Sequence, residues 1–155
     1  MDSSASTAEA GGERVLAFAV GGAPFACRLG SVREILPLPA LTPLPGAPRG
    51  ILGVVAVRGR VLPVLDGAGR WGGDGGDDAM LLVLEHRGQW LGLRCGEVDR
   101  VLVVPNVGAA VGGGECFELG GPLTPPRRLV DAAILLHSVL EDRGDVSREP
   151  DRSDL

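Results

Sequence analysis

The stretch Val15 to Pro39, VLAFAVGGAPFACRLGSVREILPLP, returns in outline 66 residues further along the chain as Leu81 to Pro105, LLVLEHRGQWLGLRCGEVDRVLVVP. The two copies share apolar positions, turn glycines and a final proline in the same order: Leu16 with Leu82, Gly22 with Gly88, Arg28 with Arg94, Gly30 with Gly96, Val32 with Val98, Leu36 with Leu102 and Pro39 with Pro105. Such a repeat indicates that one structural unit is used twice. The sequence therefore predicts two similar lobes.

Each copy has the pattern of a β-hairpin followed by a further strand. Short apolar runs alternate with glycine-containing turns, which is typical of antiparallel strands. The predicted strands are Val15–Val20, Phe25–Leu29 and Ile35–Leu38 in the first copy, and Leu81–His86, Trp90–Cys95 and Val101–Val104 in the second. Pro37 and Pro39 favour an edge position for the third strand of the first copy, because proline cannot donate a hydrogen bond to a neighbouring strand.

The segments outside the repeat predict another strand pair, two irregular connections and one helix. Ile51–Val57 and Arg60–Leu65 are the strands, and the first is apolar almost throughout, which places it at the heart of the predicted core. Residues 67–78 read as a flexible link and residues 106–114 as a glycine-rich loop. The predicted helix covers Ala132–Leu140, with Asp131 as its N-cap.

Composition favours an all-β protein and argues against a polyanionic partner. The 155 residues include 25 Gly and 12 Pro, which suit short strands and tight turns better than helices. The net charge of −5 disfavours nucleic acid, since phosphate binding needs a concentrated positive field. No apolar run is long enough for a membrane span, so we expect no direct membrane insertion and a cytoplasmic protein. Residues 1–13 and 141–155 are polar and predict disordered tails.

The sequence contains no recognisable catalytic or metal-binding constellation. Its cysteines, Cys27, Cys95 and Cys116, stand far apart and are predicted to be buried reduced thiols. The two histidines, His86 and His137, have no nucleophile at a meaningful spacing, so we interpret both as surface or partly packed residues. Asp74, Asp77 and Asp78 lack the alternating spacing of a calcium loop. An enzyme using Cys95 or Cys116 and a binder of single-stranded nucleic acid remain minor alternatives.

Three consecutive motifs resemble the CheW domain family: VREI at Val32 to Ile35, LPGAPRGILGVVAVRG at Leu44 to Gly59, and RVLPVLD at Arg60 to Asp66. The resemblance continues through the second copy and covers roughly residues 14–140. It implies an all-β fold of two five-stranded SH3-like β-barrels packed side by side, with a short C-terminal helix. The lobes are expected at about residues 14–75 and 76–140, with a possible strand crossover between them.

The same resemblance implies a non-catalytic adaptor without cofactor or metal. Its expected partners are the cytoplasmic tip of a chemoreceptor and the regulatory domain of a CheA-type histidine kinase. The residues implied for receptor binding are Val32, Glu34, Ile35, Val57 and Arg58, of which Glu34 and Arg58 match a charged pair of the family. Those implied for kinase binding are Val98, Val101 and Leu102. The alternative is a diverged CheW-like accessory scaffold that keeps one interface and serves a non-motility signalling pathway.

Overall fold

The structure, a computed structural model, describes residues 12–48, 50–105, 107–111, 115–119 and 126–139. The strands within these ranges are β1 Glu13–Val20, β2 Ala23–Arg28, β3 Val32–Pro37, β4 Ile51–Val57, β5 Arg60–Asp66, β6 Met80–His86, β7 Gln89–Cys95, β8 Val98–Val104, β9 Val107–Val111, β10 Cys116–Leu119 and β11 Arg128–Val130. Helix α1 covers Gly67–Trp71 and helix α2 covers residues 132–139. Short 3-10 turns cover Leu29–Ser31 and Gly75–Asp77. The predicted C-terminal tail and most of the N-terminal tail lie outside the described residues, whereas Glu13 begins β1.

The strands form two sheets, which confirms the predicted all-β fold with a short C-terminal helix. The first sheet has the order β8-β1-β2-β11-β10-β9, and the second has the order β3-β6-β7-β5-β4. The first sheet therefore has six strands where five were predicted. The additional strand is β9, which lies in the segment predicted as a glycine-rich loop and pairs with β10. Glycine and alanine, which make up most of this strand, are uncommon in β-strands, so the sequence pattern did not indicate one here.

The two repeated units exchange their hairpins. Hairpin β1–β2 belongs to the first sheet, but the strands that follow it in the chain, β3 to β5, join hairpin β6–β7 in the second. Conversely, β8 to β11 leave β6–β7 and join β1–β2. Each hairpin also has a parallel neighbour, β11 beside β2 and β5 beside β7. Both sheets draw strands from either side of residue 75, where the resemblance implied an approximate lobe boundary with a possible strand crossover.

The largest hydrophobic cluster lies between the two sheets and beneath both helices. Its buried members from the first sheet are Leu16, Phe18, Val20, Phe25, Cys27, Cys116 and Val130, and those from the second are Leu65, Leu82, Leu84, Leu91, Leu93 and Cys95. Smaller clusters fill the opposite faces of each sheet. The prediction that β4 is the heart of the core was wrong, since β4 is an outer strand and contributes Val55 and Val57 to a smaller cluster.

Two-residue turns close hairpins β4–β5 and β6–β7. Arg58 and Arg87 each have φ of 54°, and the glycines that follow them have φ of 78° and 81°. Positive φ at both central positions matches the twist of the flanking strands and is easiest for glycine at the second position. The turns predicted at Arg58-Gly59 and Arg87-Gly88 are confirmed.

The segment predicted as a flexible link, residues 67–78, is folded instead. Helix α1 buries Gly67 and Ala68, and the ring of Trp71 stacks on Phe25 with 5.3 Å between the ring centroids. The following 3-10 turn is capped by Asp74, whose carboxylate accepts a hydrogen bond from the Gly76 amide. Its glycines suggested flexibility, but the apolar surface of Ala68 and Trp71 packs on the main cluster and fixes the segment.

A partly buried ion pair joins α1 to the chain before β10, and its arginine also contacts α2. The Arg70 guanidinium contacts both carboxylate oxygens of Glu115 and also donates to the Ser138 hydroxyl at 3.0 Å. The Trp71 indole donates to the same carboxylate at 2.8 Å. Glu115 is only 6% exposed, so its charge depends on these donors rather than on water. Helix α2 itself begins as predicted, with the Asp131 carboxylate accepting from the Ile134 amide at 3.0 Å.

Candidate partner-binding surfaces

The residues implied for receptor binding lie on β3 and around the β4–β5 turn of the second sheet. Ile35 is 39% exposed, whereas Val32 is half-buried against the main cluster. Val57 is only 4% exposed and packs inside the second sheet's own cluster. Val57 thus packs beneath the β4–β5 turn, and any part it plays in receptor binding is through the position of that turn. Glu34 and Arg58 are brought into direct contact.

Arg58 and Glu34 form a two-pronged ion pair at the rim of the second sheet. Nε and Nη2 of Arg58 donate to the two carboxylate oxygens of Glu34, each at 3.0 Å. The pair joins β3 to the turn after β4, so it ties together the two outer strands of this sheet. Hydrogen bonding from Arg58 is the main cause that lowers the pKa of Glu34 below its ordinary 4.5. The Arg58 side chain is 70% exposed, so the pair adds little to stability and remains accessible to a partner.

The depressed pKa of Glu34 leads to a direct test of the ion pair. The pKa of Glu34 in the folded chain lies below its value in the unfolded chain. The stabilising interaction with Arg58 is therefore fully present when the pH is above the unfolded pKa, and it is lost as the pH falls through the folded pKa. We expect carboxyl NMR titration to give Glu34 a pKa below 4.5 in the native chain and closer to 4.5 in Arg58→Gln. An unchanged Glu34 titration in that variant would show that Arg58 does not hold the carboxylate.

Further charged and aromatic side chains extend this surface across four neighbouring strands. The Arg33 guanidinium lies 5.0 Å from the centroid of the Trp90 ring and contacts Glu85 at 3.4 Å. The Arg60 guanidinium lies 4.1 Å from the same ring and donates to the Gly88 carbonyl at 2.9 Å. A register shift between Val32 and Glu34 gives β3 an extra residue, Arg33, with no paired residue on β6. We define the charged rim as Arg33, Glu34, Arg58, Arg60, Glu85 and Trp90.

Sequence reasoning missed Arg33, Arg60, Glu85 and Trp90. Glu85 and Trp90 are paired within hairpin β6–β7, but Arg33 and Arg60 are brought to them only by the exchange of hairpins between units. The sequence offered no local signal for their proximity, since none of the contacts joins residues close in the chain.

The residues implied for kinase binding lie on β8, one of the two outer strands of the first sheet. Val101 is 42% exposed, and Val103, two residues along, is 58% exposed. Val98 is half-buried against the main cluster, and Leu102 against the first sheet's own cluster. We call Val101 and Val103 the β8 edge. Val101 is the residue of the implied set that offers an accessible apolar surface there.

The three cysteines do not have the character of catalytic nucleophiles. Cys27, Cys95 and Cys116 are buried free thiols, as predicted. Burial raises the pKa of Cys27 and of Cys95 to about 12 and that of Cys116 to about 11. A reactive cysteine needs a lowered pKa, because the thiolate is the nucleophile. These thiols therefore do not support the alternative of a cysteine-dependent enzyme.

The described residues also hold no group of three or more His, Cys, Asp or Glu side chains arranged to bind a metal. Over the part of the chain that the structure describes, no helix combines the length and the apolar character needed to cross a membrane. What these surfaces offer is exposed charge, aromatic contact and a strand edge, which are features of binding surfaces.

Comparison with known proteins identifies the family. The CheW-like domain model matches residues 14–109. The chemotaxis protein CheW of Rhizobium meliloti is 34% identical over 97 residues, which is 61% of this chain and 63% of that protein. Protein PilI of Pseudomonas aeruginosa is 37% identical over 86 residues, which is 54% of this chain and 48% of that protein. The chain thus spans less than two thirds of the length of these relatives.

A solved structure supports the same fold. The scaffolding protein TtCheW from Thermoanaerobacter tengcongensis superposes with a TM-score of 0.65 over 77% of this chain and 88% of its own, at 20% sequence identity. This likeness confirms the predicted pair of SH3-like barrels. The family itself is shown by the domain match, which covers more than half of the chain. The chain belongs to the CheW-like domain family, a non-catalytic family.

Proposed function

We propose that this chain is a cytoplasmic adaptor that couples the cytoplasmic tip of a chemoreceptor to the regulatory domain of a CheA-type histidine kinase. The receptor docks at the charged rim and Ile35, and the kinase docks at the β8 edge. The observation that carries this proposal is that the two surfaces lie on different sheets. An adaptor needs such separation, because both partners have to be held at once. Coupling then requires binding alone, with no turnover.

The charged rim supports receptor docking because its charges are accessible to a partner, and not because the Arg58–Glu34 pair stabilises the fold. Arg58 is held in place by Glu34 yet remains mostly exposed, so its position is fixed before a partner arrives. Preorganisation of this kind lowers the entropic cost of binding. Ile35, the next residue of β3, is paired with Leu82 of the main cluster and therefore lies on the opposite face of the strand from Glu34, which is paired with Val83. Its exposed side chain offers a separate apolar contact at the outer edge of β3, beside the charged rim.

Reversing the charge of Arg58 tests the receptor surface. We expect Arg58→Glu to weaken association with a receptor cytoplasmic fragment by about tenfold, because it places two like charges side by side at the interface. The domain should stay folded, since the side chain is exposed. Adding Glu34→Arg should recover part of the loss by restoring an opposite pair. The binding constants are measured by isothermal titration calorimetry with the purified fragment.

The matched control for this experiment is Arg14→Glu, which makes the same change at an exposed position of β1 in the first sheet. It should leave receptor binding within about twofold, because exposed charges far from a contact are screened by salt. Equal losses for Arg58→Glu and Arg14→Glu, or no recovery in the double variant, would show that the charged rim is not the receptor surface.

A second candidate function is an accessory scaffold that keeps one interface and serves a non-motility pathway. It is favoured by the extent of the family match, which ends at residue 109 and leaves β10, β11 and α2 outside it. Strands β10 and β11 belong to the first sheet, in which the outer strand β8 carries the proposed kinase surface. A pull-down with receptor and kinase fragments separates the two functions. The adaptor should retain both fragments, whereas the accessory scaffold should retain only one.

A further inference from the structure

A row of side chains crosses the second sheet at the charged rim. Arg33, Glu85, Trp90 and Arg60 lie on β3, β6, β7 and β5, which are consecutive strands of this sheet. Glu85 and Trp90 are paired residues of the hairpin, and the two guanidiniums contact the Trp90 ring at 5.0 Å and 4.1 Å. Contact with an aromatic ring restricts an arginine side chain without using its hydrogen-bond donors.

The two arginines of this row differ in their partners. Arg33 has Glu85 as a carboxylate partner. Arg60 contacts the Trp90 ring and donates Nη2 to the Gly88 carbonyl, but meets no carboxylate among the described residues. The remaining N–H groups of the Arg60 guanidinium are thus restricted in position and available to a partner. Arginine presents several donors in a planar fork that fits a carboxylate.

The local charge has the opposite sign to that of the whole chain. Arg33, Arg58 and Arg60 belong to the charged rim, and exposed Arg87 lies in the turn beside Gly88, against Glu34 and Glu85. The excess is therefore positive in a chain whose net charge is −5. A local positive field of this kind attracts acidic segments and repels basic ones.

We propose that the row formed by Arg33, Trp90 and Arg60 receives an acidic segment of the docking receptor, with a carboxylate of that segment paired to Arg60. This inference rests on the proposed function, since it names the chemistry of the segment that docks there. Contact with the Trp90 ring restricts the Arg60 side chain before the segment binds. The Arg58–Glu34 pair lies next to this row on the charged rim.

The two tryptophans of the chain allow a direct test on the full-length protein. The Trp71 indole donates to Glu115, whereas the Trp90 indole nitrogen is buried with no acceptor among the described residues. In the ¹⁵N-labelled chain, the two indole signals are assigned with Trp90→Phe and followed during titration with a hexaglutamate peptide. We expect a saturable shift of the Trp90 signal and a stationary Trp71 signal. Hexaglutamine, the neutral control peptide, should move neither.

Arginine variants then locate the carboxylate. We expect Arg60→Gln to weaken hexaglutamate binding by about fivefold, as for loss of one exposed ion pair. Arg14→Gln, which removes the same charge from the first sheet, should change it by less than about twofold. An unmoved Trp71 signal in Arg60→Gln verifies that the variant is folded.

A Trp90 signal that does not respond to hexaglutamate would show that the row does not bind an acidic segment. Equal weakening of hexaglutamate binding by Arg60→Gln and Arg14→Gln would show general charge attraction instead of a specific pairing, and either result would overturn the inference. Either result leaves the adaptor function standing, because that function is tested separately with receptor and kinase fragments. Conversely, failure of those fragments to bind would remove the adaptor function even if hexaglutamate occupied the row.

Discussion

Replacing Leu82 by alanine is expected to lower the free energy of unfolding by about 2–5 kcal/mol, among the largest effects available to a single substitution here. Leu82 is fully buried in the cluster that joins the two sheets. Its removal leaves a cavity between layers that belong to different hairpins, and neither sheet can close the gap without moving away from the other. Urea denaturation followed by circular dichroism measures the change.

Leu44→Ala is the matched control for this substitution, because it deletes the same atoms from a side chain that is 38% exposed. We expect it to change the free energy of unfolding by less than about 1 kcal/mol. Since the main cluster draws on both sheets, Leu82→Ala should also shift a single unfolding transition rather than split it. Similar small losses for both variants, or two separate transitions, would contradict the view that this cluster holds the sheets together.

Glu115→Ala is expected to destabilise the protein by about 3 kcal/mol. The substitution removes the carboxylate that accepts from Arg70 and from the Trp71 indole, and it leaves a positive charge beside the core. The loss should exceed that from Glu118→Ala, which removes an exposed carboxylate on the adjoining strand β10. Thermal and urea denaturation of the three proteins gives the comparison.

A double variant shows whether the loss comes from the unpaired charge. Combining Glu115→Leu with Arg70→Met removes both charges and keeps apolar volume, so it should be less destabilising than Glu115→Ala. If the double variant is as unstable as the losses from Glu115→Leu and Arg70→Met added together, the two residues act independently and the ion pair does not tie α1 to the chain before β10.

Local features of the fold were predictable from the sequence. Hairpins β1–β2 and β6–β7 were indicated by short apolar runs on either side of glycine turns, and the β4–β5 turn by Arg58-Gly59. The helix cap by Asp131 was also read correctly. All of these depend on residues close together in the chain, where spacing and turn chemistry carry the information.

Long-range pairing was not predictable in the same way. The repeat indicated two similar units, and the resemblance allowed a strand crossover between them. Neither specified that each hairpin pairs with the strands of the other unit, because both arrangements satisfy the same local pattern. The glycines around β9 and α1 indicated loops, whereas burial and pairing gave a strand and a helix. Tertiary contacts overrode local preference at both places.

The candidate surfaces show the same limit. The contact between Glu34 and Arg58 was suggested by resemblance to the family and is present in the structure. Val57, which the resemblance implied for receptor binding, is turned inward by the alternation along β4, and its role at a partner surface stays a prediction. The stack of Arg33 and Arg60 on Trp90 depends on the strand order of the second sheet, which sequence reasoning did not provide.

The central proposal, that two partners are held at once on separate surfaces, is tested most directly by sedimentation velocity with receptor and kinase fragments present together. We predict one ternary species that forms only when this chain is present. Arg58→Glu should release the receptor and keep the kinase, whereas Val101→Asp should release the kinase and keep the receptor. Displacement of one partner by the other, or loss of both partners in either variant, would contradict the account.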